Sequence, residues 1–252
     1  MIRLGIAGES HGDVQILSSL VDRLIEEGVD WIERGVVEGR SLMDANRQWV
    51  GVGEHAWVDV HKHKELRRRY GIRAFGSFSG DSAAADALMY RNIFHFFLHP
   101  SNEGIPEALV IGRDLDRDDA RREGLSQAIR ERSWPFRVIA GLAAPEIEAW
   151  LLAAWAPETA ADEAALKEVR GRVGFDPTRS GERLTSKKDD EPKDAKRALR
   201  ELCAKGRAAE ERWEDAPIDR LTGNGEGCGL KDFVDAVRRD LLPLFTGRPP
   251  TP

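Results

Sequence analysis

At 252 residues and 41% hydrophobic content, the chain can form one large domain or a core domain with an appendage. No run approaches the roughly 18 apolar residues of a membrane span, and the opening Met1-Ile2-Arg3-Leu4-Gly5-Ile6-Ala7-Gly8-Glu9 lacks the apolar core of a signal peptide. Cys203 and Cys228 alone argue against a disulfide framework and for a reducing cytoplasm, while a net charge of -6 with 33% charged residues still permits a local basic face.

Residues 2 to 7 read as a first strand. A turn through Gly8-Glu9-Ser10-His11-Gly12-Asp13 then leads into a helix whose apolar positions Val14, Leu17, Leu20, Val21, Leu24 and Ile25 share one face, closed by Gly28. A second strand is expected at about Trp31 to Val37, which makes the opening a strand-helix-strand unit of the kind that builds parallel sheets. Glu9 then lies at the carboxyl end of strand one.

From Gly39 to about Asp81 the periodicity loosens, and the segment reads as a partly helical excursion from the core. It carries a dense basic stretch, His61-Lys62-His63-Lys64-Glu65-Leu66-Arg67-Arg68-Arg69-Tyr70, which is either a solvated helix face or a grip on phosphates. His61 and His63 lack a third ligand in register and are left out of any metal set. A helix follows from about Ser82 to Leu98, packed through Leu88, Phe94, Phe97 and Leu98 and ended by Pro100; its His95 and His99 read as packed or capping residues.

Ala108-Leu109-Val110-Ile111 is a buried strand that runs into Gly112-Arg113-Asp114-Leu115-Asp116-Arg117-Asp118-Asp119. Open α/β sheets place ligands at the carboxyl ends of their strands, so Asp114 and Asp116, two residues apart, are a candidate pair for a hard divalent cation. The competing reading is an acidic turn that caps the polar helix from about Asp118 to Arg132. Another strand is expected at 136 to 142, so that strands and helices alternate around a mostly parallel sheet in a three-layer Rossmann-like sandwich.

The next helix opens at Pro145-Glu146-Ile147-Glu148. On a wheel begun there, Ile147, Trp150, Leu151, Leu152, Ala154 and Trp155 form an apolar arc with Glu148 inside it and Glu146 outside, so Glu148 is the acid to expect at a cation and Glu146 the one to expect at the helix dipole. Beyond residue 156 a helical extension is expected over 157–252, with helices at about 160 to 171, 193 to 212 and 230 to 242. A long loop at 176 to 194 bears Lys187, Lys188 and Lys193. Gly223-Asn224-Gly225-Glu226-Gly227-Cys228-Gly229 could cradle phosphate through backbone amides, but it lacks a Gly-Lys-Ser/Thr ending and reads as a plain flexible turn instead.

Gly8-Glu9 with Asp13, followed by Asp114-Leu115-Asp116, resembles the TOPRIM domain of topoisomerases, primases and overcoming-lysogenization-defect nucleases. Glu146-Ile147-Glu148-Ala149-Trp150-Leu151-Leu152 and Glu191-Pro192-Lys193 resemble stretches of small stand-alone TOPRIM-like proteins, many encoded beside an ABC-type ATPase in bacterial defence loci. The resemblance covers residues 1–156 as a TOPRIM-like core, with the insertion at about 39–81. It implies a Mg²⁺- or Mn²⁺-dependent nuclease, the effector of an antiviral complex, acting on DNA in preference to RNA with an ABC/SMC-like ATPase as partner and no membrane. Glu9 would be ligand or general base, Asp114 and Asp116 metal ligands, and Asp118 and Glu148 ligands of a second ion. Lys193 would neutralise transition-state charge, with Lys187 and Lys188 as rivals. Lys62, Lys64, Arg67, Arg68 and Arg69 would hold the nucleic-acid backbone. The oligomeric state stays open, a homo-oligomer included.

Three other readings compete. A TOPRIM-like subunit without catalysis would use its carboxyl-terminal helices to dock the ATPase. A haloacid-dehalogenase phosphatase would use Asp114 as nucleophile, but it wants the motif on the first strand and a Thr where Asp118 stands. A calcium loop would need Gly at position 119 and Glu at 125, where the chain has Asp119 and Leu125.

Overall fold

The computed structural model describes residues 1–30, 32, 36–37, 40–51, 56–73, 77–78, 81–82, 84–100, 104–116, 118–186, 188–204 and 206–247. The elements run β1 (Ile2–Gly8), α1 (His11–Gly28), β2 (Val36–Val37), β3 (Arg40–Ser41), α2 (Leu42–Asn46), β4 (Arg47–Val50) and β5 (Val58–Asp59). A 3-10 turn leads into α3 (His63–Arg69), β6 (Ser77–Phe78), β7 (Asp81–Ser82), α4 (Ala87–Phe97), β8 (Ala108–Asp114), α5 (Asp119–Arg130) and β9 (Arg137–Ala143). Helices α6 (Glu148–Ala154), α7 (Ala160–Val173), α8 (Ala195–Cys203), α9 (Ala209–Asp215), α10 (Ile218–Asn224), α11 (Leu230–Ala236) and α12 (Leu242–Thr246) complete the chain. The protein is α/β, with a mostly parallel five-stranded sheet flanked by helices, consistent with a Rossmann-like sandwich. No helix among the described residues is long and apolar enough to cross a membrane.

The chain divides into two compact units that are not consecutive blocks: residues 1–112, 118–140 and 235–252 form one, and residues 113–117 and 141–234 the other. In the first unit the sheet order is β4-β1-β8-β9, with β5 also on β1, and β1 runs parallel to β4, β5 and β8. Leu4, Ile6 and Ala7 of β1 and Leu109, Val110 and Ile111 of β8 are fully buried, because strands covered on both faces need unbroken apolar runs. The register Ala7↔Ile111 brings the carboxyl ends of both strands to one edge.

Helix α1 starts at a capping box in which the Ser10 hydroxyl accepts from the Asp13 N–H at 3.2 Å and the Asp13 carboxylate accepts from the Ser10 N–H at 3.0 Å. Asp13 is thereby a helix-start residue. The six apolar positions expected on this helix are all buried, and Ile16 joins them.

The second strand differs from expectation. Val36–Val37 pairs antiparallel with β3 outside the main sheet, and Trp31 and residues 33–35 lie outside the described residues. The parallel neighbours of β1 are β4 and β5, both from the segment read as an excursion. Strand β4, Arg47-Gln48-Trp49-Val50, is half-buried throughout, so it has no apolar run to announce it.

In the second unit, α6 is buried along its whole length after Glu148. Leu152 and Trp155 pack with Leu166, Val169 and Val173 of α7 and Ala195, Ala198 and Leu202 of α8. The Trp150 indole N–H donates to the Cys228 carbonyl at 2.9 Å, and the Ala144 N–H donates to the same oxygen at 3.0 Å. The glycine-rich turn therefore anchors the end of β9. Gly229, at φ +84, would set a Cβ 2.3 Å from the Leu142 carbonyl oxygen, which restricts that position to glycine.

Candidate metal centre

Asp114 is the last residue of β8, and the turn after it is stitched to the segment after β9. The Leu115 N–H donates to the Ala143 carbonyl at 2.8 Å and the Asp116 N–H to the Pro145 carbonyl at 2.9 Å, with Asp116 in the left-handed region at φ +45. Asp114 Oδ1 accepts from the Ile147 N–H at 2.9 Å. This bond sets the Asp114 carboxylate against Glu146 and Glu148, and oxygen atoms of the three lie within 4.8 Å of one another.

Such a set can hold a metal ion. All three donors are carboxylate oxygens and half-buried, and opposed ligands around a hard cation lie about 4–5 Å apart, twice a metal–oxygen bond of about 2.0–2.6 Å. Burial raises the Glu146 carboxyl above its ordinary range, Lys196 opposes that rise, and Asp194 and Asp116 add to it. Asp116 thus acts on the cluster as a neighbouring charge.

A cation stands against the cluster: Nζ of Lys196 lies 3.1 Å from Glu146 Oε2. Burial by itself would lower the Lys196 ammonium, but the charges of Glu148, Glu146 and Asp114 outweigh it and raise it. The cause of its placement is local. Asp194 caps α8 by accepting from the Lys196 N–H at 3.0 Å, and the buried stripe Ala195, Ala198 and Leu202 seats the helix on the core that also holds Leu152 of α6.

No family model, curated protein or solved structure matches this chain. The residues must speak through their positions.

Glu146 is the ligand candidate that the helical wheel set aside. The wheel assumed a helix from Pro145, whereas α6 begins at Glu148, so Glu146 precedes the helix and its angle on the wheel carried no meaning. The long loop offers Lys193 in sequence, but the lysine that the fold brings to the carboxylates is Lys196. In the structure Lys193 Nζ lies 6.0 Å from the centre of the Phe175 ring, Lys188 is exposed, and Lys187 lies outside the described residues.

The remaining candidates lie in the first unit. Glu9 follows β1 directly, and its Oε2 is 3.3 Å from Nε2 of His61. Asp118 caps α5, its Oδ1 accepting from the Ala120 N–H at 3.0 Å. The Lys62 ammonium is 3.6 Å from Asp59, and Lys64, Arg67, Arg68 and Arg69 lie on α3, none of whose residues is buried. His95 stacks edge-on to Trp134 at 5.5 Å, and His99 to Tyr70 at 5.0 Å, the packed roles expected of them.

Proposed function

We propose that Asp114, Glu146 and Glu148 hold a divalent cation, Mg²⁺ or Mn²⁺, and that the protein hydrolyses phosphodiester bonds in nucleic acid. The observation that carries this reading is the convergence of three half-buried carboxylates beside a lysine. A divalent cation supplies Lewis acidity toward phosphoryl oxygens.

The chain's own residues supply the rest. The Ile147 N–H orients the Asp114 carboxylate, and Lys196 places a positive charge where an incoming phosphate needs one. Burial raises the Glu146 carboxyl, so a cation bound there would displace a proton that this acid holds more readily than a solvated one. Beside Trp57, Lys62 and Arg69 offer charge and an aromatic face of the kind that single strands use. The TOPRIM resemblance supports the same class of substrate and suggests an ABC/SMC-like ATPase as partner.

Plasmid and single-stranded substrates incubated with Mn²⁺, with and without an ABC-type ATPase of the kind the resemblance implies, test the proposal. Wild type should nick or cut, Glu148→Gln and Asp114→Asn should lose most of that activity, and Glu9→Gln reports on the role that the resemblance gives Glu9. Equal cutting by the wild type and by the two triad variants, or none under any condition, would overturn it.

A further inference from the structure

Helix α3 divides the basic stretch between two hollows. Lys64, Arg67 and Arg68, at i, i+3 and i+4, line a cleft of about 530 Å³ with His63, Arg73 and Asn92, while Lys62 and Arg69 line a separate one. Four permanent cations stand on the wall of the larger cleft, with no carboxylate among its described residues. Asp86 is the acid that acts on His63, against Lys64, Arg67 and His61. Arg67 is held through its Nε, which donates to the Ile72 carbonyl at 3.2 Å.

The base of the cleft is polar and incompletely satisfied. Asn92 of α4 is 1% exposed, and its Nδ2 lies 3.1 Å from Nδ1 of His63. Its Oδ1 is buried and accepts no hydrogen bond among the described residues. A buried carbonyl without a donor costs about 1–3 kcal/mol, a cost that a ligand donor removes. Ile72 and Leu88 give the cleft an apolar side.

We propose that this cleft binds a small phosphorylated ligand, its phosphoryl oxygens held by Lys64, Arg67, Arg68 and Arg73 and a hydrogen-bond donor on its remaining body meeting Asn92. A nucleic-acid strand asks for charges spaced along an open groove, whereas these converge on one cavity of small-molecule size. The site goes beyond the hydrolytic reading, since its residues belong to the first unit and the carboxylate triad to the second.

Calorimetric titration of the full-length protein, without added divalent cation, tests it with ATP, AMP, pyrophosphate and an oligonucleotide lacking terminal phosphates. A nucleotide should bind, about tenfold or more weaker in Lys64→Ala/Arg68→Ala, in line with the loss of charge-assisted hydrogen bonds. Asn92→Leu, which replaces the unsatisfied amide with an apolar group of similar size, should keep pyrophosphate binding and lose the preference for nucleotide. Glu148→Gln should bind as wild type does, which separates this site from the metal centre. Binding of the oligonucleotide alone, no binding of any phosphorylated probe, or unchanged affinity in the double variant would overturn the proposal.

Discussion

Asp162 and Arg212 are both 3% exposed in their side chains and 3.0 Å apart. Asp162 Oδ2 also accepts from the N–H groups of Glu158 and Thr159 at 3.0 and 3.2 Å, and Arg212 donates to the Ala156 carbonyl and lies over the Trp155 ring. Replacing Asp162 by Asn keeps an acceptor for the cap but leaves the buried Arg212 guanidinium with only the half-exposed Glu158 carboxylate, 3.6 Å away, as its charge partner, at a cost of about 3 kcal/mol. Asp162→Ala also removes the return half of the α7 capping box, while the Thr159 hydroxyl still caps the helix, and should cost about 1 kcal/mol more. The double variant Asp162→Asn/Arg212→Met should recover part of the loss, with a coupling of about 2 kcal/mol. Urea unfolding followed by tryptophan fluorescence measures all three. Burial alone would raise the Asp162 carboxyl, but hydrogen bonds from Glu158 and Arg212 overcome that and hold it below the usual range. Its contribution is therefore present at neutral pH and lost as pH falls below about 4, through the folded value. A cost below about 1 kcal/mol for Asp162→Asn, or strict additivity in the double variant, would refute the reasoning.

Burial raises the Asp22 carboxyl to about 6 against the pull of Arg47. Its charged form is thus disfavoured in the fold, and stability should fall by up to about 3 kcal/mol between pH 4 and 6, a slope that Asp22→Asn should lack and that contradicts the account if it persists. Gly124→Ala would set a Cβ 1.9 Å from the Ala85 carbonyl oxygen, so α4 and α5 must move apart; denaturation should register a loss of about 1–3 kcal/mol, and a neutral result would refute that packing. Lys196→Met should change stability without metal by less than about 1 kcal/mol, because Lys196 is half-exposed. It should tighten Mn²⁺ binding by removing a competing cation, and weaker binding would count against that role.

The central strands and first helix could be read directly, because burial on both faces writes apolar runs at 2–7 and 108–111 and a stripe from Val14 to Ile25. Edge strand β4 could not, since half-exposed Arg47 and Gln48 belong equally to a loop. At the candidate site, Asp114 and Glu148 stood out through a strand end and an apolar helix. Glu146 was hidden by a helix start three residues later than Pro145 suggests, and Lys196 by a contact between α6 and α8 that no local pattern encodes. Asp118 shows the opposite limit: the same residue type after the same strand serves as a helix cap.

The central claim is that the Asp114, Glu146 and Glu148 carboxylates bind a divalent cation. Titrating Mn²⁺ into wild type, Glu148→Gln and Asp114→Asn by calorimetry tests it most directly, since both substitutions preserve shape and Asn at 114 can still accept from the Ile147 N–H. The account predicts one saturable site in the wild type, about tenfold or more weaker in each variant, and an ion-dependent rise in melting temperature confined to the wild type. No binding by the wild type, or equal binding by all three proteins, would contradict it.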